Sequence, residues 1–278
     1  MIENWGLLIA DILAIIVEIG LPVALAVLIV KKLKMKWAVV FTGVLTFIGS
    51  QVVHIPLLQV PALLNKLGVN VVEPQFWPIV WYAVFLGLMA GLCEETARWI
   101  GFKILKGKAA SYKSAFALGI GHGGVESVIV GVLVLANLIF MLVFSPESML
   151  ARGVPDGTVQ MTISQVAQFW ATPWHLALAG AFERVIAISA HLFMSVLVWK
   201  SVTQKSWLWF LLAVAFHALL DFVAVYFSSM GFTPWQLELS ITIFLVVDVI
   251  FLVLFWKAEK KKEDRKSTRL NSSHGKLS

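Results

Sequence analysis

Gly91-Leu92-Cys93-Glu94-Glu95-Thr96-Ala97-Arg98-Trp99-Ile100-Gly101 closes an apolar run that begins at Trp77. Two carboxylates and a guanidinium therefore stand where hydrocarbon is expected, at about 2.5 to 3.5 kcal/mol per charge on membrane-insertion scales. A cost of that size calls for partners, and the rest of the chain is read for them.

The solvent of this chain is lipid. Apolar residues make up 59% of the 278 residues and charged ones only 14%, and the mean hydropathy is +0.87, far above a soluble globular chain. The net charge of +6 does not indicate nucleic acid, because the lysines fall in short clusters between apolar runs rather than on one soluble face. A single cysteine, Cys93, forms no intrachain disulfide and reads as small packing beside Glu94, whose negative charge disfavours a reactive thiolate. Met1-Ile2-Glu3-Asn4-Trp5 lacks the basic start and small-residue cleavage site of a signal peptide, so the first helix is expected to be retained.

Windows close to the ~20 residues that span a bilayer fall at 7–30, 37–60, 77–101, 114–143, 176–199, 207–228 and 239–256. They predict an all-α polytopic bundle of seven transmembrane helices in one unit, residues 1–262. Lysines crowd alternate connections: Lys31, Lys32, Lys34 and Lys36; Lys103, Lys106, Lys108 and Lys113; Lys200 and Lys205; Lys257, Lys260, Lys261 and Lys262. The other connections hold only Lys66 and Arg152, so the positive-inside rule predicts an outside N-terminus and a cytoplasmic C-terminus. In the long connection 145–175, Met161, Ile163, Val166, Phe169 and Trp170 form a rough helical stripe, and it reads either as a helix lying in the outer interface or as a plain loop. Residues 263–278 are polar and without periodicity, which predicts a disordered tail. From Asp264 they resemble the conceptual translation of a sequencing-adapter oligonucleotide, which implies an origin outside the natural protein, and His274 is given no role.

Measured at 1.5 Å per residue from the lysine-rich ends, Glu94, Glu95, His122, His191 and His217 all lie about 10–15 Å deep. Glu94 with Arg98, His122 with Glu126, and His217 with Asp221 are i, i+4 pairs that share a helix face, and Arg184 lies seven residues before His191. Left unpaired, Glu94, Glu95, Arg98, Glu126, Arg184 and Asp221 would cost on the order of 15–20 kcal/mol, more than a typical folding free energy. They must converge on each other or on water. One histidine in an apolar helix reads as a structural hydrogen bond; three, with several carboxylates at one depth, read as a functional polar cavity.

Two chemistries suit such a cavity. Imidazoles from three helices with a carboxylate make a tetrahedral zinc site with an open position; alternatively, one of two adjacent carboxylates acts as a general base on water with no metal. The sequence leaves both open. It contains no His-Glu-x-x-His helix and no Gly-x-Ser-x-Gly elbow. The run Gly119-Ile120-Gly121-His122-Gly123-Gly124 lacks the lysine of a phosphate loop and reads as room for close approach by a helix or a substrate backbone.

Glu94-Glu95-x-x-Arg98, Gly119-x-Gly121-His122-Gly123-Gly124-x-Glu126, His191 and His217-x-x-x-Asp221, in that order on successive segments, resemble the YhfC family of intramembrane metalloproteases, itself similar to the PrsW proteases and the CAAX prenyl and bacteriocin-processing group. The likeness covers residues 77–228. It implies that Glu94 and Glu95 supply the water-activating carboxylate, and that His122, His191 and His217 bind a metal, expected to be Zn2+, or stabilise the oxyanion. It further implies that Asp221 orients His217, while Arg98 and Glu126 support the site. Arg98 lies two rather than three residues beyond the Glu pair, and Asp221 stands for an Asn of the CAAX pattern; both departures disfavour prenylated substrates.

The expectation is an intramembrane endopeptidase of the bacterial plasma membrane that cuts a membrane protein or peptide near the cytoplasmic leaflet, with the lipid bilayer as partner and no nucleic acid. Its rival is a proton- or ion-coupled transporter, kept open by Asp11, Glu18 and Asp248. Against that rival, no inverted repeat is visible and the charges gather at one depth instead of forming a ladder.

Overall fold

The computed structural model describes residues 4–68 and 76–274. Seven helices are long and apolar enough to cross a membrane: α1, Trp5–Leu33; α2, Trp37–Leu58, followed by a short helix Val60–Lys66; α3, Phe76–Leu105; α4, Lys113–Val143; α5, Trp174–Gln204; α6, Trp207–Ser229; and α7, Pro234–His274. Six of the seven expected windows lie within one of them, and the window 37–60 runs through α2 into the short helix that follows. The bundle is the polytopic all-α fold that the hydropathy predicts.

Five helices close a ring through the contacts α2 to α3, α3 to α6, α6 to α5, α5 to α4 and α4 to α2. The outer two are buttresses, α1 against α4 and α5, α7 against α5 and α6. The ring is tight because glycine sits where backbones cross. A Cβ on Gly43 of α2 would lie 2.1 Å from the Leu118 carbonyl oxygen of α4, and one on Gly121 of α4 would lie 2.0 Å from that of Val40. Without hydrophobic drive between helices in lipid, such close packing is what holds them together.

In α1 a π-helical turn over Ile16–Gly20 inserts an extra residue and turns Glu18 inward, where its side chain is buried. The Ser127 hydroxyl of α4 donates to the Glu18 carbonyl at 2.7 Å, a backbone acceptor that the altered ladder leaves open. Asp11 of α1 and Asp248 of α7 are buried as well, outside the ring.

The connection between α4 and α5 is helical, Pro146–Ala151 and Asp156–Trp170. Val159, Thr162 and Trp170 are buried, and Trp170 with Phe169 and Val166 packs on Leu7, Leu8 and Leu138. The stripe read from the sequence is real except at Met161, which is exposed. Asn4 ties this connection to the start of α1: its side chain accepts from the Leu7 N–H at 3.0 Å and donates to the Trp170 and Thr172 carbonyls, each at 3.2 Å.

The helix α7 runs on to His274, where the polar composition predicted a disordered tail. Lys262 pairs with Glu259 along the helix at 2.6 Å, and Lys113 of α4 holds Glu263 at 3.0 Å. Those ion pairs favour helical winding past the last apolar turn.

Candidate active site

Successive residues of a helix point about 100° apart, so Glu94 and Glu95 of α3 serve different neighbours. Glu94 faces the interior of the ring. Its Oε2 lies 3.0 Å from His122 Nε2 of α4 and 3.9 Å from His217 Nε2 of α6, and its Oε1 accepts from the Gln51 amide of α2 at 3.2 Å. Glu95 turns aside to an ion pair with Arg98, and its Oε1 lies 2.8 Å from His217 Nδ1. Both Glu95 and Arg98 are fully buried.

Arg98 spans the centre. One guanidinium nitrogen meets Glu95; the other hydrogen-bonds His191 Nδ1 of α5 and stands 3.7 Å from Glu94 Oε2. His191 Nε2 lies 2.6 Å from Glu126 Oε2 of α4, whose second oxygen accepts from Arg184 at 2.8 Å. Arg184 also pairs with its neighbour Glu183. His217 Nε2 is 3.6 Å from Asp221 Oδ2. All eight residues selected from the sequence thus converge on one network, with Arg184 as a ninth.

Their expected grouping differs in one respect. A carboxylate oxygen of Glu94 and one ring nitrogen each of His122 and His191 lie within 4.8 Å of one another, so Glu94 joins two of the three histidines expected as ligands. His217, held at Nδ1 by Glu95, turns its Nε2 to 3.9 Å from Glu94 Oε2, beside that group.

Hydrogen bonding fixes the imidazole tautomers, and at His122 it does so in a way that suits a cation. The Thr46 hydroxyl of α2 donates to the Gly43 carbonyl at 2.7 Å and so accepts from His122 Nδ1 at 2.9 Å, leaving the Nε2 lone pair aimed at the Glu94 carboxylate. Two lone pairs facing each other at 3.0 Å need a shared proton or cation between them. Likewise the Arg98 donor makes His191 Nδ1 an acceptor, and Nε2–H then donates to Glu126. For His122 one nitrogen is held by an orienting partner while the other turns inward, the usual pattern for metal-binding histidine; for His191 both nitrogens are engaged, by Arg98 and by Glu126. Five acidic side chains (Glu94, Glu95, Glu126, Glu183, Asp221) face two guanidiniums (Arg98, Arg184) and three imidazoles, an excess of acids that protons on the histidines or a divalent ion would offset. Glu94 and His122 fit a metal ion, and His191 stands close enough to be a third ligand once Arg98 or Glu126 releases one of its nitrogens.

Glycine makes this geometry possible. A Cβ on Gly123 would sit 2.6 Å from the His191 ring, and one on Gly119 would sit 3.0 Å from the Ser195 side chain. The glycine run therefore serves helix approach and gives His191 its room.

The cavity beside these groups measures about 270 Å³ and is lined by Gln51, His54, Glu94, Glu126, Glu183, Asp221 and their apolar neighbours. The sequence reading found no motif in the second helix, yet α2 supplies Thr46, Gln51 and His54. Thr46, Ser50 and His54 recur at every fourth residue, which places them on one face; that polar stripe was the signal available. Glu183 was missed too, being adjacent to Arg184 without a helical spacing to other acids. Glu94 lies nine residues before Lys103, in the last turn of α3, which is about 13.5 Å at 1.5 Å per residue and within the depth expected from the sequence.

The uncharacterized membrane protein YhfC of Bacillus subtilis (strain 168) is 26% identical over 248 residues, covering 87% of this chain and 92% of that protein. No solved structure matches. The profile of the YhfC intramembrane metalloprotease family matches residues 15–239, which include every residue of the network just described, and the chain belongs to that family.

Proposed function

We propose that this protein is an intramembrane endopeptidase that hydrolyses a peptide bond in the ring cavity. The observation that carries the reading is the convergence of Glu94, His122 and His191 within 4.8 Å, with Thr46 and Glu126 orienting the two imidazoles. A zinc ion held there would lower the pKa of a bound water toward 7 and polarise the scissile carbonyl.

The chain's own groups would do the rest. His217, held at Nδ1 by Glu95 in the manner of a carboxylate-oriented imidazole, turns Nε2 toward Glu94 and Asp221; it would accept the proton from water and return it to the leaving amine. Arg98 would keep Glu95 ionised and in place. The surrounding apolar wall strengthens each electrostatic contact by excluding bulk water.

A second form of the same reading is favoured by one contact. Arg98 already brings a positive charge to His191 Nδ1 and to within 3.7 Å of Glu94, so Glu94 could act on water as a general base with the guanidinium as its counter-charge. The test for both is cleavage of a single-span membrane protein by the full chain in proteoliposomes, before and after chelation. Activity lost on chelation and restored by zinc supports the metal form; activity indifferent to chelator but abolished in Glu94→Gln supports the metal-free form; activity untouched by both treatments removes the proposal.

A further inference from the structure

We infer that water and peptide reach this pocket from the end of the bundle opposite the lysine-rich loops, so that the bond it cuts belongs to the half of the substrate span on that side. The second clause rests on the peptidase reading; the first stands on geometry alone. Toward the lysine-rich end, each ring helix places a buried apolar residue next to the site: Val40 on α2, Phe102 on α3, Leu118 on α4, Met194 on α5 and Val214 on α6. Beyond them Trp199, Tyr112, Ala109 and Phe255 continue the same close-packed cluster, and the Trp199 indole donates to the Ala109 carbonyl at 2.8 Å. A cavity of about 270 Å³ opens at the lysine-rich end against Lys103, Lys106 and Trp199 and stops at Phe102; it shares no lining residue with the cavity at the site, and the buried apolar side chains between the two leave no polar partners for a file of water.

In the other direction the residues one or two turns from the site are polar and increasingly exposed. Side-chain exposure is 7% at Glu94, 24% at Glu126, 34% at Asp221 and 43% at Glu183. Arg184, 16 residues before Lys200 of α5, lies about 24 Å from the lysine-rich end, in the far half of a bilayer core of about 30 Å. His54 lines the same passage and both its ring nitrogens are buried without a hydrogen-bond partner among the described residues, as befits groups that await water or a peptide amide. The expectation of cleavage near the cytoplasmic leaflet assumed access from the nearest helix ends, and side-chain volume fills that route.

Thiol labelling of the full chain in sealed vesicles tests this without any assay of activity. In a Cys93→Ser background, Ala224→Cys and Ala187→Cys place thiols on the cavity wall, Ser164→Cys marks the end carrying the helix Asp156–Trp170, and Lys108→Cys marks the lysine-rich end. A membrane-impermeant maleimide is expected to label both wall cysteines from the face that labels Ser164→Cys and to spare them from the face that labels Lys108→Cys. Labelling together with Lys108→Cys, or from neither face, would overturn the inference. Mapping the cut in a single-span substrate then addresses the second clause: the expected position is on the Ser164 side of the span's midpoint, and a cut on the Lys108 side would refute it.

Discussion

Glu94 and His122 face each other at 3.0 Å through Oε2 and Nε2, while the other nitrogen of the ring is committed to Thr46. An imidazole whose Nδ1–H is spent on a hydroxyl has only a lone pair left to offer the carboxylate. The pair is therefore incomplete by itself, and the chemistry of the whole pocket follows from what joins it.

Thr46→Val removes the acceptor that orients His122 without removing a ligand. Loss of an orienting partner of a metal-bound histidine typically costs about 10–100-fold in metal affinity, and that range is expected here, with Thr46→Ser close to wild type. Competition titration with a zinc chelator measures it. Unchanged affinity in Thr46→Val would mean that His122 is not a ligand.

Arg98→Ala is expected to destabilise the fold by about 3–5 kcal/mol, because it leaves Glu95 as a buried charge without its guanidinium. Arg98→Met combined with Glu95→Leu is expected to fold better than Arg98→Ala alone, since replacing both partners by apolar groups avoids the uncompensated charge. Thermal unfolding in detergent compares them. Equal stability of the two variants would show that the ion pair does not set the cost.

Gly121→Ala is expected to prevent assembly of the bundle, since its Cβ meets the Val40 backbone oxygen at 2.0 Å and no side chain can yield. Gly49→Ala, at a position with no atom within 4 Å, is expected to be neutral or slightly stabilising through the better helix propensity of alanine. Size-exclusion profiles and proteolysis of the two variants decide; a well-folded Gly121→Ala would show that α2 and α4 do not cross as closely as described.

Much of this was legible in the residues themselves. The seven spans follow from hydropathy, and the convergence of Glu94, Arg98, His122, Glu126, His191, His217 and Asp221 follows from depth and i, i+4 spacing, because buried charges must find one another. Which imidazole joins which carboxylate was not legible: it depends on the rotation of Glu95 away from Glu94 and on the reach of individual side chains between helices. The contribution of α2 was hidden because Thr46 and Gln51 carry no charge and so raise no alarm on a hydropathy scale. The side of access was not legible for a different reason: depth along a helix says nothing about which side chains fill the space above the site, where Phe102, Leu118 and Met194 are buried.

His217→Gln is expected to keep the metal and lose peptide hydrolysis by about 10²–10⁴-fold, the contribution of a positioned general acid–base group. Activity close to wild type in that variant would transfer the proton role to another group.

The most direct test is the zinc content of purified full-length protein, wild type beside Glu94→Gln, His122→Ala and His217→Gln. A stoichiometric ion in wild type and in His217→Gln, lost from Glu94→Gln and His122→Ala, is the predicted result. Zinc retained when Glu94 and His122 are altered, or lost only with His217, would contradict the assignment of Glu94, His122 and His191 as the metal centre.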